Sequence, residues 1–297
     1  MPSSLPASPF NPEIDRIEIF PVTANGNVSP SKTIEGPDTG LGSPAAVDVD
    51  STGLIYVVND QAFPITTCGI TVYAADANGD AAPIRKLCGA RTVLYTDIAV
   101  DARGNIYAVD PSDNAVDAYA RGTSGTVSPT FSISGSHTGL SNPIGLAFDA
   151  SGRLYVDNTN APCNGATGSV TVYAPGASGN SSPIATIGGP HTGLGVAGNV
   201  AIDGAGKIYV GGLDAVRVFG PGSNGDVPPI ATIAGSNTDL FGGAGIAVDT
   251  IGTTFVTNEG ANRVTVYGPG ANGNVSPIRE IQGSNTGLFI IGFPALH

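Results

Sequence analysis

Charge is scarce in this sequence. Charged residues make up 12% of the 297, and lysine occurs only at Lys32, Lys86 and Lys207. The surface must therefore be built mostly from Ser, Thr, Asn and Gly. What charge there is leans acidic. The formal net charge is −12, which argues against nucleic acid and anionic membranes and admits cations or basic partners. No apolar run approaches the length of a membrane span. Conventional catalytic signatures are missing too: no G-x-S-x-G elbow, no H-E-x-x-H, no C-x-x-C and no phosphate loop. Histidine occurs only at His137, His191 and the terminal His297, which leaves little room for a Ser-His-Asp arrangement.

Cysteine is nearly absent as well. Cys68 and Cys88 flank a turn at Asn78-Gly79 almost symmetrically, so a hairpin there would place them nearly opposite each other. Two readings remain open, a disulfide if the cross-strand geometry fits, or two small buried hydrophobes. A disulfide would imply an oxidising compartment. Cys163 has no such mate. Residues 1–14, "MPSSLPASPFNPEI", form a polar Pro/Ser-rich segment without the basic start and apolar stretch of a signal peptide. Its composition fits a stalk left after such a peptide is removed. The expected location is extracellular, periplasmic or at the cell surface.

Glycine and proline, by contrast, are plentiful at 43 and 23 residues, and they are periodic. One phrase is written six times. It reads "TANGNVSPSKTIEGPDTGL" from Thr23 and "GANGNVSPIREIQGSNTGL" from Gly270, with copies from Asp76, Gly122, Gly176 and Gly222. It alternates with a second motif, "GLAFDASGRLYVDN" at Gly145 and its relatives, whose aspartates are Asp50, Asp101, Asp149, Asp203 and Asp249. Their spacings are 51, 48, 54 and 46. A period near 50 built from short alternating apolar runs means an array of small sheets.

Each period holds four such runs. "IAVD" and "IYAV" are joined by Asp-x-x-Gly, in which the Asp carboxylate can accept backbone N–H groups and Gly can take positive φ. "VTVY" and "PIATI" follow, joined by the Asn-Gly or Ser-Gly turn of the repeated phrase. Proline suits the outer strand, because an edge strand can lack a donor. Four antiparallel strands repeated about six times predict an all-β fold, a six-bladed β-propeller over residues 15–297. There are six outer hairpins but only five inner ones. The closing blade is therefore expected to be shared, with "RIEIF" to "KTI" from the N-terminal side and Phe293 to His297 as its inner strand. Its second strand is absent unless part of Leu5 to Phe10 supplies it.

The pattern P-x-G-[IL]-A-[VF]-D-x-x-G-x-[IL]-Y-V, clearest at Pro143 to Val156, and "NRVTVY" at Asn262 to Tyr267 resemble the NHL-repeat family of six-bladed propellers. The resemblance covers about Asp15 to His297. It implies a fold, and little about activity, because propellers host many functions.

Chemistry is expected where the innermost strands begin and the loops between second and third strands open. The longest of these loops run Asn59 to Gly69 and Asn158 to Gly168. Two inner-strand columns hold unusual residues. Asp48 stands where sister repeats have Ala; Asp97 and Asn199 stand where others have Ala or Gly. Asp110, Asp157 and Glu259 lie at second-strand ends, as do Asn59, Asp60, Asn158 and Asn258. Converging oxygens near a channel mouth suit Ca²⁺, with Asp48, Asp97 and Asn199 as the candidate ligands. The plainer reading of these residues is solvated turns around a water-filled channel. "DANGD" at Asp76 to Asp80 lacks the later Glu of a calcium loop, and His137 and His191 fall on different blades.

Propellers similar to gluconolactonases bind a divalent metal in the channel and open sugar lactones. Their pattern places an acid five residues before the turn aspartate. Here that slot holds Ala45, Thr96, Ile144, Gly198 and Ala244, which counts against that activity. The preferred expectation is a monomeric binding or structural module for a protein, glycan or small-molecule ligand. The alternative is a divalent-metal hydrolase of the lactonase kind.

Overall fold

The computed structural model describes residues 15–60, 68–89, 92, 95–159, 168–195, 197–289 and 292–296. Five four-stranded antiparallel blades follow one another along the chain. Before them comes a two-stranded hairpin of β1 (Arg16–Ile19) and β2 (Lys32–Glu35). We number the blades 1 to 5 and call this unit the closing hairpin. Blade 3 shows the plan. Pro143–Phe148 is innermost, followed outward by Leu154–Asn158, Ser169–Tyr173 and Ala185–Gly188.

The count corrects one expectation. Six four-stranded blades were expected, and the structure has five. The sixth position holds an outer hairpin and a short C-terminal stretch, with no four-stranded sheet among the described residues. Phe293 in that stretch donates its N–H to the Ala45 carbonyl at 3.1 Å, beside the inner strand of blade 1. It also packs on Gly245 of blade 5, where any β-carbon would meet it. Leu5 to Phe10 lies outside the described residues.

The second and third strands of each blade are almost wholly buried, as "IYVVN" and "ITVY" of blade 1 illustrate. Their apolar side chains alternate between the two faces of the blade, so each junction between blades becomes a dry core. Tyr155 of blade 3, for example, packs with Ile208 and Val210 of blade 4. Burying each such side chain stabilises the ring by about 1.5–3 kcal/mol relative to leaving it in water. At the inner turns the motif aspartates behave as their spacing suggests. Asp149 accepts N–H groups from Ser151 and Arg153 at 2.9 and 3.0 Å, and Gly152 follows with φ of 79°.

The repeated phrase does more than turn a hairpin. In every copy the turn glycine pairs with the outer strand of the preceding unit. Gly79 meets Ile34, Gly125 meets Leu87, Gly179 meets Ile133, Gly225 meets Ile187 and Gly273 meets Ile233. Gly26 meets Ile281 across the two ends of the chain. All six glycines have φ between 62° and 90°, a region that side chains with a β-carbon seldom adopt. The flanking Asn and Asp residues extend the contact. Asn224 and Asp226 accept N–H groups from Thr186 and His191 at 2.9 and 2.7 Å. Asn25 and Asn27 do the same for Glu280 and Asn285, at 3.0 and 2.7 Å. Opposite Asn27, Gly283 has no β-carbon because Asn27 fills that space. Each copy of the phrase is thus a latch whose two halves engage neighbouring copies.

Candidate functional site

The inner-strand acids sit at the junctions of blades 1 to 4. Asp48 accepts the N–H of Val49 at 2.8 Å with one oxygen and that of Val100, in the next blade, at 2.7 Å with the other. Asp97 repeats this one blade on, accepting from Ile98 at 2.8 Å and from Leu146 at 2.9 Å. Each carboxyl therefore staples its own strand to the next blade. Asn199 accepts from Val200 at 2.6 Å and lies against Gly145, which has no β-carbon in its way.

Burial sets the electrostatics. Asp97 is 3% exposed, and loss of hydration pushes its carboxyl up to about 8, against the pull of two N–H donors. Asp48 is pushed up to about 6 by the same cause. Charge on Asp48 adds to the effect on Asp97. Asp157 is the extreme case. It is fully buried on the second strand of blade 3, opposite Gly145, and neither carboxyl oxygen has a hydrogen-bond partner. Burial drives it well above the ordinary carboxylate range, and the nearby Asp97 pushes in the same direction. Such a group is neutral or has a cation beside it.

The six residues singled out from sequence do not form one site. Asp97, Asp157 and Asn199 meet around Gly145 and Leu146, with Asp48 coupled to Asp97 from the neighbouring junction. Asp110 is buried elsewhere, accepting from Ser112 N–H at 3.0 Å and Asp113 N–H at 3.2 Å. Glu259 is exposed in a short 3₁₀ turn. Among the described residues no three His, Cys, Asp or Glu side chains are arranged to hold a metal ion.

The second-strand asparagines are buried fixtures and not solvated turn residues. Asn59, Asn158 and Asn258 each accept an N–H from the incoming linker, that of Gly42, Ser141 and Phe241, at 2.9–3.0 Å. Each also donates to a third-strand threonine at 3.0–3.1 Å. Of the two long loops, residues 61–67 and 160–167 lie outside the described residues.

Sequence reasoning passed over Asp117. It is fully buried in blade 2 and accepts from Tyr95 at 2.8 Å and from Ser132. Tyr95 in turn meets the Tyr119 hydroxyl at 2.6 Å. Sister blades have Thr71, Thr171 and Thr265 at the equivalent position and blade 4 has Arg217, so an acid in a column mostly of threonine was the available signal. Cys68 and Cys88 are joined in a disulfide beside the same junction, with Cα atoms 4.0 Å apart.

A scan against protein-family models finds no match, and a search of curated proteins finds none either. Solved structures are similar in shape. A Lactobacillus plantarum protein superimposes with a TM-score of 0.59 at 16% identity, over 84% of this chain and 74% of that one. A functionally unknown protein from Desulfotomaculum acetoxidans gives 0.55 at 16%, over 82% and 73%. The WD40 β-propeller domain of Doa1 gives 0.53 at 12%, over 80% and 71%. At these identities the likeness concerns the path of the chain, not its chemistry. The chain has the all-β propeller fold, built of four-stranded antiparallel blades.

Proposed function

We propose that this chain is an NHL-like propeller with six positions around its ring, acting outside the cytoplasm as a monomeric binding or structural module. The observation that carries the reading is the engagement of the inner-strand acids. Asp48 and Asp97 each have both carboxylate oxygens occupied by backbone N–H groups, two of them from the next blade. Each of these bonds takes a lone pair and fixes the carboxyl against the backbone, so the two acids join neighbouring blades. The Cys68–Cys88 disulfide supports an oxidising compartment, and with it the extracellular, periplasmic or cell-surface location.

One observation favours the second reading, a divalent-metal hydrolase of the lactonase kind. The buried Asp157 carboxyl has no partner and lies near Asp97 and Asn199. A cation such as Ca²⁺ would relieve that arrangement. Thermal melts with calcium and with chelator separate the two. The module reading expects superimposable curves and no turnover of sugar lactones. A calcium at a hundredfold excess over its dissociation constant would instead add about 2.7 kcal/mol, and Asp157→Asn would remove that gain.

A further inference from the structure

At the end of the ring where the Asp-x-x-Gly turns lie, large side chains close the junctions between units. In blade 1 the Arg85 guanidinium lies 5.7 Å from the Tyr56 ring and donates to the Tyr56 hydroxyl at 3.3 Å. In blade 5 Arg279 takes the same place 5.8 Å from Phe255, and it also donates to the Val22 carbonyl of the closing hairpin. In the closing hairpin the corresponding Lys32 crosses to the Ala75 carbonyl of blade 1 at 3.3 Å. In blade 2 Phe131 meets Tyr107 edge-on, with ring centroids 5.8 Å apart. Blade 3 has Ala185 in this column, but Arg153 covers Tyr155 instead and is held by Asp149 at 2.7 Å.

Blade 4 is the exception. Its outer-strand residue is Ala231, and Lys207 stands in the place of Arg153. The Lys207 ammonium forms no ion pair and no cation–π contact among the described residues. A cavity of about 240 Å³ opens there between blades 4 and 5. Tyr209, Val218 and Ala231 line it on one side, and Gly252, Gly268 and Ala271 on the other. All of its lining residues are among those described. Tyr209 is 4% exposed, against 1% for Tyr56 and Tyr155 beneath their arginines. At roughly 30 Å³ per water, the space holds several waters' volume and so admits a group the size of an arginine side chain.

The acceptor side of the arginine contact is still in place. The Tyr209 hydroxyl donates to Asp203 at 3.2 Å, as that of Tyr56 does to Asp50 at 3.0 Å. Burial first, and then charge on Asp203 and Asp249, pushes the Tyr209 hydroxyl up to about 12. Pro269 stands where Val22 and Ala75 offer their carbonyls to Arg279 and Lys32.

We propose that this cavity is a binding site for an alkyl guanidinium group from outside the chain, carried by an arginine side chain or by a free guanidine. Its N–H groups face the Tyr209 hydroxyl and the Pro269 carbonyl, as those of Arg85 and Arg279 face Tyr56 and Val22. The charge complements Asp203, Asp249 and the aromatic ring. Lys207 at the rim is a competing cation on a flexible stem. The inference rests on the binding-module reading and names the ligand class.

The probe is N-acetyl-arginine methylamide, titrated into the ¹⁵N-labelled full chain. Saturable amide shifts are expected at Gly252, Gly268 and Ala271. The neutral isostere N-acetyl-citrulline methylamide should bind about tenfold more weakly or worse. Ala231→Arg copies blades 1 and 5, so it should fold, melt higher and lose the binding. Tyr209→Phe copies the aromatic of blade 5 and should weaken binding, which keeps the test open if Ala231→Arg does not fold. Lys207→Gln should strengthen it. A peptide Gly-Arg-Gly that binds more tightly than the probe points to a protein's arginine, and equal affinity points to a free guanidine. Absence of saturable shifts at these amides overturns the proposal. So does equal binding of the citrulline probe, or undiminished binding by folded Ala231→Arg. Such a failure leaves the module reading standing, whereas calcium-dependent lactone turnover overturns that reading whatever the arginine probe does.

Discussion

Five of the six latches around the rim are variations on one design, while the junction between blades 1 and 2 follows another. At the ends of the chain, Asn25, Gly26 and Asn27 hold the outer strand of blade 5 through two side-chain acceptors and a glycine bridge. At blades 1 and 2 the corresponding residues are Ser124, Gly125 and Thr126. Ser124 donates to the Lys86 carbonyl instead of accepting, and the backbone pairs over two residues. Val127 N–H adds a bond to the Cys88 carbonyl at 3.0 Å. The disulfide and the buried Tyr95–Tyr119–Asp117 network lie beside this junction. Where the asparagine acceptors are missing, a longer backbone pairing joins the two units, with the disulfide in blade 1 beside it.

The comparison breaks first at the disulfide. A bond closing a loop of 20 residues contributes about 3 kcal/mol. Reduction, or Cys88→Ser, should therefore lower the melting temperature by several degrees. Hydrogen exchange should then quicken first at the outer strands of blades 1 and 2. Uniform exchange around the ring would mean the junction needs no such support.

The next effect comes from the inner side of the ring. Asp97 and Asp157 have folded-state values above the ordinary carboxylate range, so the folded chain holds protons that the unfolded chain releases. Their contribution to stability is full below about pH 4 and is lost as pH rises to about 8, the value for Asp97. Asp97→Asn should flatten that slope in pH-dependent melts, because Asn199 shows that a sister blade accepts an amide there. Asp157→Asn should raise the melting temperature above pH 7, because the unfolded chain then no longer gains by ionising a carboxyl that the fold keeps protonated. A melting temperature that rises between pH 5 and 8 in the parent would contradict both assignments.

Smaller changes are expected at single latches. Asn27→Ala removes one acceptor from the joint between the chain ends and should cost about 1 kcal/mol, read by denaturant midpoint. Ser178→Asn is smaller still. It gives blade 3 the acceptor that Asn224 and Asn272 provide elsewhere, in position for Ser132 N–H. A gain of a few tenths of a kcal/mol is expected. No change at either site would mean that the glycine bridge alone carries the latch.

The strands and their order were legible because alternation, Asp-x-x-Gly and Asn-Gly are local signals. The latch was not, although its residues were the most conspicuous in the sequence. Asn27 and Asn285 are 258 positions apart, and no local rule says that one copy of a phrase accepts bonds from another. The candidate site was legible as departures from a column. Asp48, Asp97 and Asn199 stand out against Ala and Gly, but whether an acid faces solvent or a neighbour's N–H depends on packing between blades. Asp110 shows the same limit. Its place at a strand end suggested an exposed ligand, and the fold uses it to hold Ser112 and Asp113.

The latch has a consequence for how such a chain can grow or shrink. Each joint is written across two consecutive copies of one phrase, so deleting a whole unit from blades 3 to 5 brings together two halves that still match. Curvature, not the chemistry of the joint, would then decide how many units close the circle. Blades 1 and 2 are the exception. Their joint is a two-residue backbone pairing, with Val127 N–H on the Cys88 carbonyl, and lacks the asparagine acceptors of the other copies. In any lengthening or shortening of the array, those two units must be inherited together.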